Sequence, residues 1–219
     1  MTFGRLDAVS DGYSEAITAA QREGFAGVER LEGGRAAVFH EHTVAFAHTV
    51  PALHPIESTH ARFEDTAALI ARALARLGVD ARVGEVSGEY CPGAYSVNAR
   101  GAIKLMGVGQ RVVAGAAHIG GVIVVREAER VRRVLLPVYA ALGLEWEPAI
   151  TGAVEDEVRG VTFEDAEQAL LEEYAQCFEL TEVAIDEDSA ALAAQLESEH
   201  EAPARSRTLG GIGSTRDPP

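Results

Sequence analysis

Two side chains in this sequence offer chemistry that no neighbour duplicates: Cys91 and Lys104. The chain has 19 basic residues, of which 18 are arginine, and Lys104 is the only lysine. A chain that uses arginine for generic surface charge has reason to keep a lysine where a compact, three-donor ammonium is needed. The competing role is an edge-strand lysine that blunts a sheet edge. Cys91 follows a strand-like run and is held by the stiff Pro92-Gly93 behind it. A thiol so placed is either a nucleophile, given a nearby cation or backbone N–H groups, or a small buried residue at a turn. Lys104 comes across one short strand and one turn from Cys91, so the two can face each other. Cys177 lies in an acidic amphipathic stretch and reads as structural.

Other residues are weaker candidates. The Gly33-Gly34 pair follows a strand ending at Arg30, and a glycine pair lets backbone approach a ligand closely. His40, His42 and His48 share the parity of one strand face, but no Cys, Asp or Glu stands at a familiar metal spacing, so no metal site is expected. His118 lies in an apolar, glycine-rich strand and reads as a core or pocket histidine. Ser87 and Ser96 have no serine-hydrolase context.

The elements that must position these residues follow from periodicity and turn signals. Residues 13–23 read as a helix stopped by Gly24, and 25–30 as a strand entering the Gly33-Gly34 turn. Residues 35–50 alternate as one strand or two, and 63–77 form an amphipathic helix. Strands are expected over 79–89, 94–98, 102–113 and 116–125, with hairpin turns at Arg100-Gly101 and Ala114-Gly115. A helix over 127–142 carries Pro137 as a kink or early break. Thr162 with Asp165 resembles a helix cap, opening a helix to about Phe178. A strand near 182–185 and a helix over 189–198 follow. This order predicts an α+β fold rather than alternating βαβ units.

Composition bounds the rest. At 219 residues and 47% hydrophobic, one domain or one domain plus an appendage is expected. The net charge of −15 and the lack of a lysine-rich stretch argue against nucleic acid as a partner. Residues 1–150 carry a net charge of only −2; the acidic excess lies in residues 151–201, which read as solvated helix faces. The apolar runs are too short to span a membrane, and the first residues have no apolar signal core, so a cytoplasmic protein is expected. Two distant cysteines suit a reducing compartment. Residues 1–200 are expected to form the domain and 201–219 a disordered tail.

Three pieces together resemble the biotin/lipoate protein-ligase superfamily, which includes lipoate-protein ligase A and the octanoyltransferases. Its Arg-x-x-Gly-Gly stretch, leading into an Ala-Val strand, is matched by Arg30, Gly33, Gly34, Ala37, Val38 and His40. Its Lys with a following Gly-x-(Ala/Ser)-Gln is matched by Lys104, Gly107, Gly109 and Gln110, and a glycine-rich strand by Gly115, His118 and Gly121. The resemblance covers about residues 1–198. Cys91-Pro92-Gly93 with Tyr95 is similar to the cysteine-dependent octanoyl amidotransferase branch. The ATP-dependent ligases have a third glycine where Arg35 stands, and a Tyr-His-Asp-x-Gly-Asn stretch where Phe39-His40-Glu41-His42-Thr43 stands. The family carries a further helix and strands before the position of Phe3, so a truncated or naturally short form is expected.

The resemblance implies a mixed, largely antiparallel sheet flanked by helices. It implies transfer of an octanoyl or lipoyl group to a lysine of a lipoyl-domain protein through a Cys91 acyl-enzyme, with Lys104 near the acyl carbonyl stabilising the oxyanion. Arg30, Gly33, Gly34, Ala37, Val38, His40, Gly107, Gln110 and His118 would bind substrate. Val38, Leu105, Val122 and Val124 would wall the acyl slot. The partners implied are the glycine-cleavage H protein and 2-oxoacid dehydrogenase E2, and acyl transfer would need no cofactor. Two alternatives remain: an ATP-dependent lipoate ligase, which would need ATP and Mg, and a non-catalytic lipoyl- or biotin-binding module.

Overall fold

A computed structural model describes residues 1–202. All but the first two residues of the expected tail lie outside the described residues. In chain order the elements are β1 (Thr2–Phe3), α1 (Arg5–Ala8), α2 (Tyr13–Arg22), β2 (Val28–Glu29), β3 (Thr43–Pro51), α3 (Thr59–Arg76), β4 (Ala81–Val83), β5 (Val97–Ala99), β6 (Ile103–Val113), β7 (Ala116–Val124), α4 (Ala128–Ala141), α5 (Val154–Glu157), α6 (Phe163–Ala175) and α7 (Glu187–His200).

The main sheet has five strands in the order β3-β7-β6-β5-β4, and every pairing in it is antiparallel. A separate parallel pair, β1 with β2, makes the α+β architecture mixed, as expected. Both hairpin turns fall where the sequence puts them. Arg100 and Gly101 take φ of 57° and 73° in the three-residue connection between Ala99 and Ile103. Gly115 takes φ 81° at the β6–β7 turn.

The sheet separates two apolar clusters. On one side α3 and α6 bury Leu69, Ile70, Leu74 and Leu170 against Val44, Leu105, Met106 and Ile123. On the other, α2 and α4 bury Ile17, Val131, Leu135 and Val138 with Phe3, Val38, Tyr90 and Val124. Thr162 caps α6 as expected: its Oγ1 accepts from the Asp165 N–H at 3.1 Å, and Asp165 Oδ2 accepts the Thr162 N–H at 2.9 Å.

Several expected elements differ. Helix α3 starts one turn before the expected 63, because its first turn is polar and carries no apolar signal. Helix α4 runs through Pro137, held by its buried face against α2. The strand expected over 79–89 is only Ala81–Val83, since Gly84 and Gly88 take φ of 145° and 88° and the Glu89 carboxylate collects the Val86 N–H. The strand expected over 25–30 shrinks to Val28–Glu29, and that over 35–50 begins only at Thr43. No strand forms near 182–185, where Val183 and Ile185 are exposed with no strand beside them. Cys177 lies exposed past the end of α6 rather than in a structural position.

Candidate active site

One irregularity decides which residues face the site. On β6 the register runs Asn98↔Lys104 and then Val97↔Met106, so one step along β5 spans two along β6. The extra residue is a bulge at Leu105-Met106, and both side chains enter the core under α3. The bulge puts Lys104 on the same face as Gly107: a Cβ on Gly107 would lie 3.7 Å from Lys104 Nζ.

Lys104 is 1% exposed and spends all three donors inside the protein. Its Nζ donates to Glu89 Oε1 at 2.9 Å, to the Tyr90 carbonyl at 2.8 Å and to the Cys91 carbonyl at 2.8 Å. The ammonium also lies 4.7 Å from the centre of the Tyr90 ring. Glu89 is the hub on the other side. It accepts from the Val86 N–H at 3.0 Å, the Gly93 N–H at 3.1 Å and Ser96 Oγ at 2.5 Å. A buried carboxylate and a buried ammonium, each with its hydrogen bonds filled, fix the 86–96 loop to the middle of the sheet.

That loop carries the thiol. Cys91 sits at φ 43°, in the left-handed region that a non-glycine residue rarely takes. The conformation is held at both ends of the residue. Its N–H donates to Tyr139 Oη at 2.9 Å, and its carbonyl accepts from Lys104. Tyr139 Oη in turn donates to the Ala36 carbonyl at 3.1 Å. Burial, with the nearby Cys91 charge adding to it, pushes the Tyr139 phenol well above its ordinary range, so it stays protonated as this bridge requires. Burial raises the Tyr90 phenol likewise.

The Cys91 sulfur accepts the Arg35 backbone N–H at 3.1 Å. Arg30 shapes the segment that supplies this donor. Its guanidinium donates to the Gly33 carbonyl at 3.0 Å, the Arg35 carbonyl at 2.6 Å and the Thr2 carbonyl at 3.2 Å. Gly34 takes φ 98°, and a Cβ there would stand 2.8 Å from the Cys91 sulfur. Gly34→Ala is therefore expected to displace the thiol and lower its alkylation rate and any turnover by roughly 10²-fold, the cost of an ångström-scale misplacement. An alkylation rate unchanged from wild type would show that the close approach is not needed.

Cys91 opens on an apolar cavity of about 240 Å³. Of the residues singled out in the sequence, Arg30, Gly33 and Ala37 line it on the loop side, and Lys104, Gly107, Gly109, His118 and Gly121 on the sheet side. Others do not reach it. Gln110 faces α3, where its Oε1 accepts from Arg62 Nε at 2.6 Å and its Nε2 donates to the Thr59 carbonyl at 3.2 Å. His40 lies outside the cavity; burial pushes its imidazole pKa down, its Nδ1 accepts the His42 N–H, and its Nε2 has no partner. Val38 and Val124 belong to the cluster under α4, and Leu105 to the one under α3. Of the expected acyl walls only Val122 lines the cavity, with Phe39, Phe46 and Ala47 also in its apolar lining.

Sequence reasoning missed Glu89, Tyr139 and the Arg35 amide. Glu89 carried one signal, an acid directly before Tyr90-Cys91. Among the described residues no group of His, Cys, Asp and Glu is arranged to hold a metal.

Fold and site define an α+β protein with a cysteine lining an apolar slot, backed by a buried lysine. Residues 1–175 match the model of the Lipoyl protein ligase A/B catalytic domain, and the chain belongs to that family. It is 29% identical over 147 residues to the octanoyl-[GcvH]:protein N-octanoyltransferase of Geobacillus kaustophilus. That match covers 67% of this chain and 52% of the relative, so the chain spans about half the length of the curated relative it matches. Among solved structures it resembles a lipoate-protein ligase A bound with ATP, with a TM-score of 0.70 at 17% identity over 90% of this chain and 77% of that one. It also resembles a T. acidophilum protein with bound lipoic acid, with a TM-score of 0.68 at 18% identity over 90% of this chain and 77% of that one. At these identities the structural likeness establishes the fold.

Proposed function

We propose that this chain transfers an octanoyl or lipoyl group to a lysine of a lipoyl-domain protein, with Cys91 as the acyl-enzyme nucleophile. The observation that carries this reading is Cys91 in the lining of the apolar cavity, its sulfur accepting the Arg35 N–H at 3.1 Å. The thiolate attacks the acyl carbonyl of the donor's acyl-lysine, the C–N bond breaks and the donor lysine leaves as a protonated amine; the acceptor's lysine amine then attacks the thioester, and the C–S bond breaks to release Cys91. The apolar slot excludes water, which would otherwise hydrolyse the thioester.

Lys104 takes a different role from the one its motif implies. All its donors are spent, and Glu89 balances its charge, so it acts as a positioning residue that fixes the Cys91 main chain. The same bookkeeping disfavours the ATP-dependent ligase, because an ammonium with three protein acceptors has no N–H free for a phosphate. Acyl transfer between proteins needs no cofactor; ATP and Mg enter only if the ligase alternative holds. The Geobacillus relative, named for GcvH, supports the glycine-cleavage H protein as donor; a 2-oxoacid dehydrogenase E2 is the proposed acceptor. No helix among the described residues is long and apolar enough to cross a membrane, and the cysteine usage favours a cytoplasmic site of action. Residues 1–200 are read as the catalytic unit, with Arg30, Gly33, Gly34, Ala37, Gly107 and His118 around the acyl group.

Protein mixed with octanoylated H protein is expected to gain the mass of one octanoyl group, mapped by peptide analysis to Cys91. Prior alkylation of Cys91 should abolish transfer. Transfer by the alkylated protein would end the acyl-enzyme reading. Octanoate-dependent pyrophosphate release from ATP would favour the ligase, and tight lipoyl binding without turnover the non-catalytic module.

A further inference from the structure

One acid in the cavity has no part in the mechanism above. Glu32 directly precedes Gly33-Gly34, and its side chain lies back across the sheet instead of pointing to solvent. A Cβ on Gly109 would meet Glu32 Cβ at 3.1 Å, and one on Gly120 would meet Glu32 Oε1 at 3.5 Å. Gly109 and Gly120 are cross-strand partners on β6 and β7. Two facing glycines thus leave the bed in which Glu32 lies. Its carboxylate takes His118 Nε2 at 3.1 Å, and His118 Nδ1 is held by Thr49 Oγ1 at 2.7 Å from β3.

The Glu32 side chain is only 18% exposed and lines the same cavity as Cys91. Among the described residues no arginine or lysine pairs with it; the two cations of the cavity, Arg30 and Lys104, are spent on other acceptors. A carboxylate in a mostly apolar slot with one histidine partner is under-compensated, and a cationic group entering the slot would relieve it.

We propose that Glu32, oriented by His118, is the subsite that receives the cationic lysine amine of the acyl acceptor. The inference rests on the acyl-enzyme reading. The ammonium gives one proton to the Glu32–His118 pair and becomes a nucleophilic amine. The amine nitrogen bonds to the thioester carbonyl carbon, the C–S bond breaks, and the second amine proton goes to the Cys91 thiolate. Run backwards, the same pair protonates the lysine that leaves an octanoyl-lysine donor. Glu32 is therefore needed whenever a lysine arrives or departs, and not when the partner is a thiol or a neutral amine.

The test loads Cys91 from octanoyl-N-acetylcysteamine, whose leaving group is a thiol, and follows adducts by intact mass. Glu32→Gln is expected to load within about two-fold of wild type but to pass octanoyl to an apo lipoyl domain on the order of 10²-fold more slowly. Loading from octanoylated carrier should fall similarly. Cleavage of the acyl-enzyme by hydroxylamine, a neutral nucleophile at pH 7.5, should be unchanged, and Glu32→Asp should restore part of the transfer rate. Transfer by Glu32→Gln at wild-type speed overturns the subsite alone. Equal slowing towards hydroxylamine and lysine also overturns it, by making Glu32 a support for the Gly33-Gly34 loop. No adduct on wild-type Cys91 overturns the acyl-enzyme reading and the subsite with it.

Discussion

Cys91→Ser is expected to lower the proposed octanoyl transfer by on the order of 10⁴-fold while leaving the fold intact. A hydroxyl becomes a nucleophile only beside a general base. Among the described residues the one hydrogen-bond partner of the Cys91 sulfur is the Arg35 N–H, which is a donor and takes no proton. A thiol needs less help, because sulfur is intrinsically the stronger nucleophile. Serine keeps the size of the side chain and an acceptor for the Arg35 amide, so the change in stability should stay within about 1 kcal/mol. Carrier-to-carrier transfer followed by mass spectrometry, beside a thermal unfolding curve, checks both statements. Activity within tenfold of wild type would remove the thiol from the mechanism.

How much of this site could be read from sequence depended on whether a residue's role is local. The hairpins at Arg100-Gly101 and Ala114-Gly115 and the cap at Thr162 are local, and each falls where expected. The lysine and the cysteine were legible from rarity, one Lys against 18 Arg, together with a turn motif. Gln110 was misplaced for a definite reason. Strict alternation from Lys104 puts residues 106, 108 and 110 on its face, whereas the bulge at Leu105-Met106 reverses that parity and gives the face to Gly107 and Gly109. His40 and His42 lost their shared face because the strand begins only at Thr43. Val38, Leu105 and Val124 are apolar and buried as expected, but periodicity does not say which of two cores, or the cavity between, a valine enters. Glu89 and Tyr139 were out of reach, since their partners come together only when the 86–96 loop folds onto β6 and α4.

Lys104→Met is expected to destabilise the protein by about 3–5 kcal/mol, a large share of the roughly 5–15 kcal/mol that holds a domain folded. Lys104 and Glu89 are 1% and 0% exposed in their side chains, so removing the ammonium leaves a carboxylate with no cation and no water. Its remaining donors, the Val86 and Gly93 amides and Ser96, are neutral, and the Tyr90 and Cys91 carbonyls lose theirs outright. Lys104→Arg should not rescue it, because a planar fork cannot direct donors to three acceptors arranged for an ammonium in a closed space. Glu89→Gln in the Lys104→Met background should recover about 1–3 kcal/mol, since the amide removes the stranded charge and still accepts from Ser96 and Gly93. Urea unfolding of the two single variants and the double variant measures the coupling directly. A loss under about 1 kcal/mol in Lys104→Met, or a double variant no more stable than that single one, would mean the carboxylate reaches water and does not anchor the cysteine loop. The stated losses would instead place the cost of holding Cys91 at φ 43° on this pair: two buried charges whose mutual need fixes the backbone on which the thiol sits.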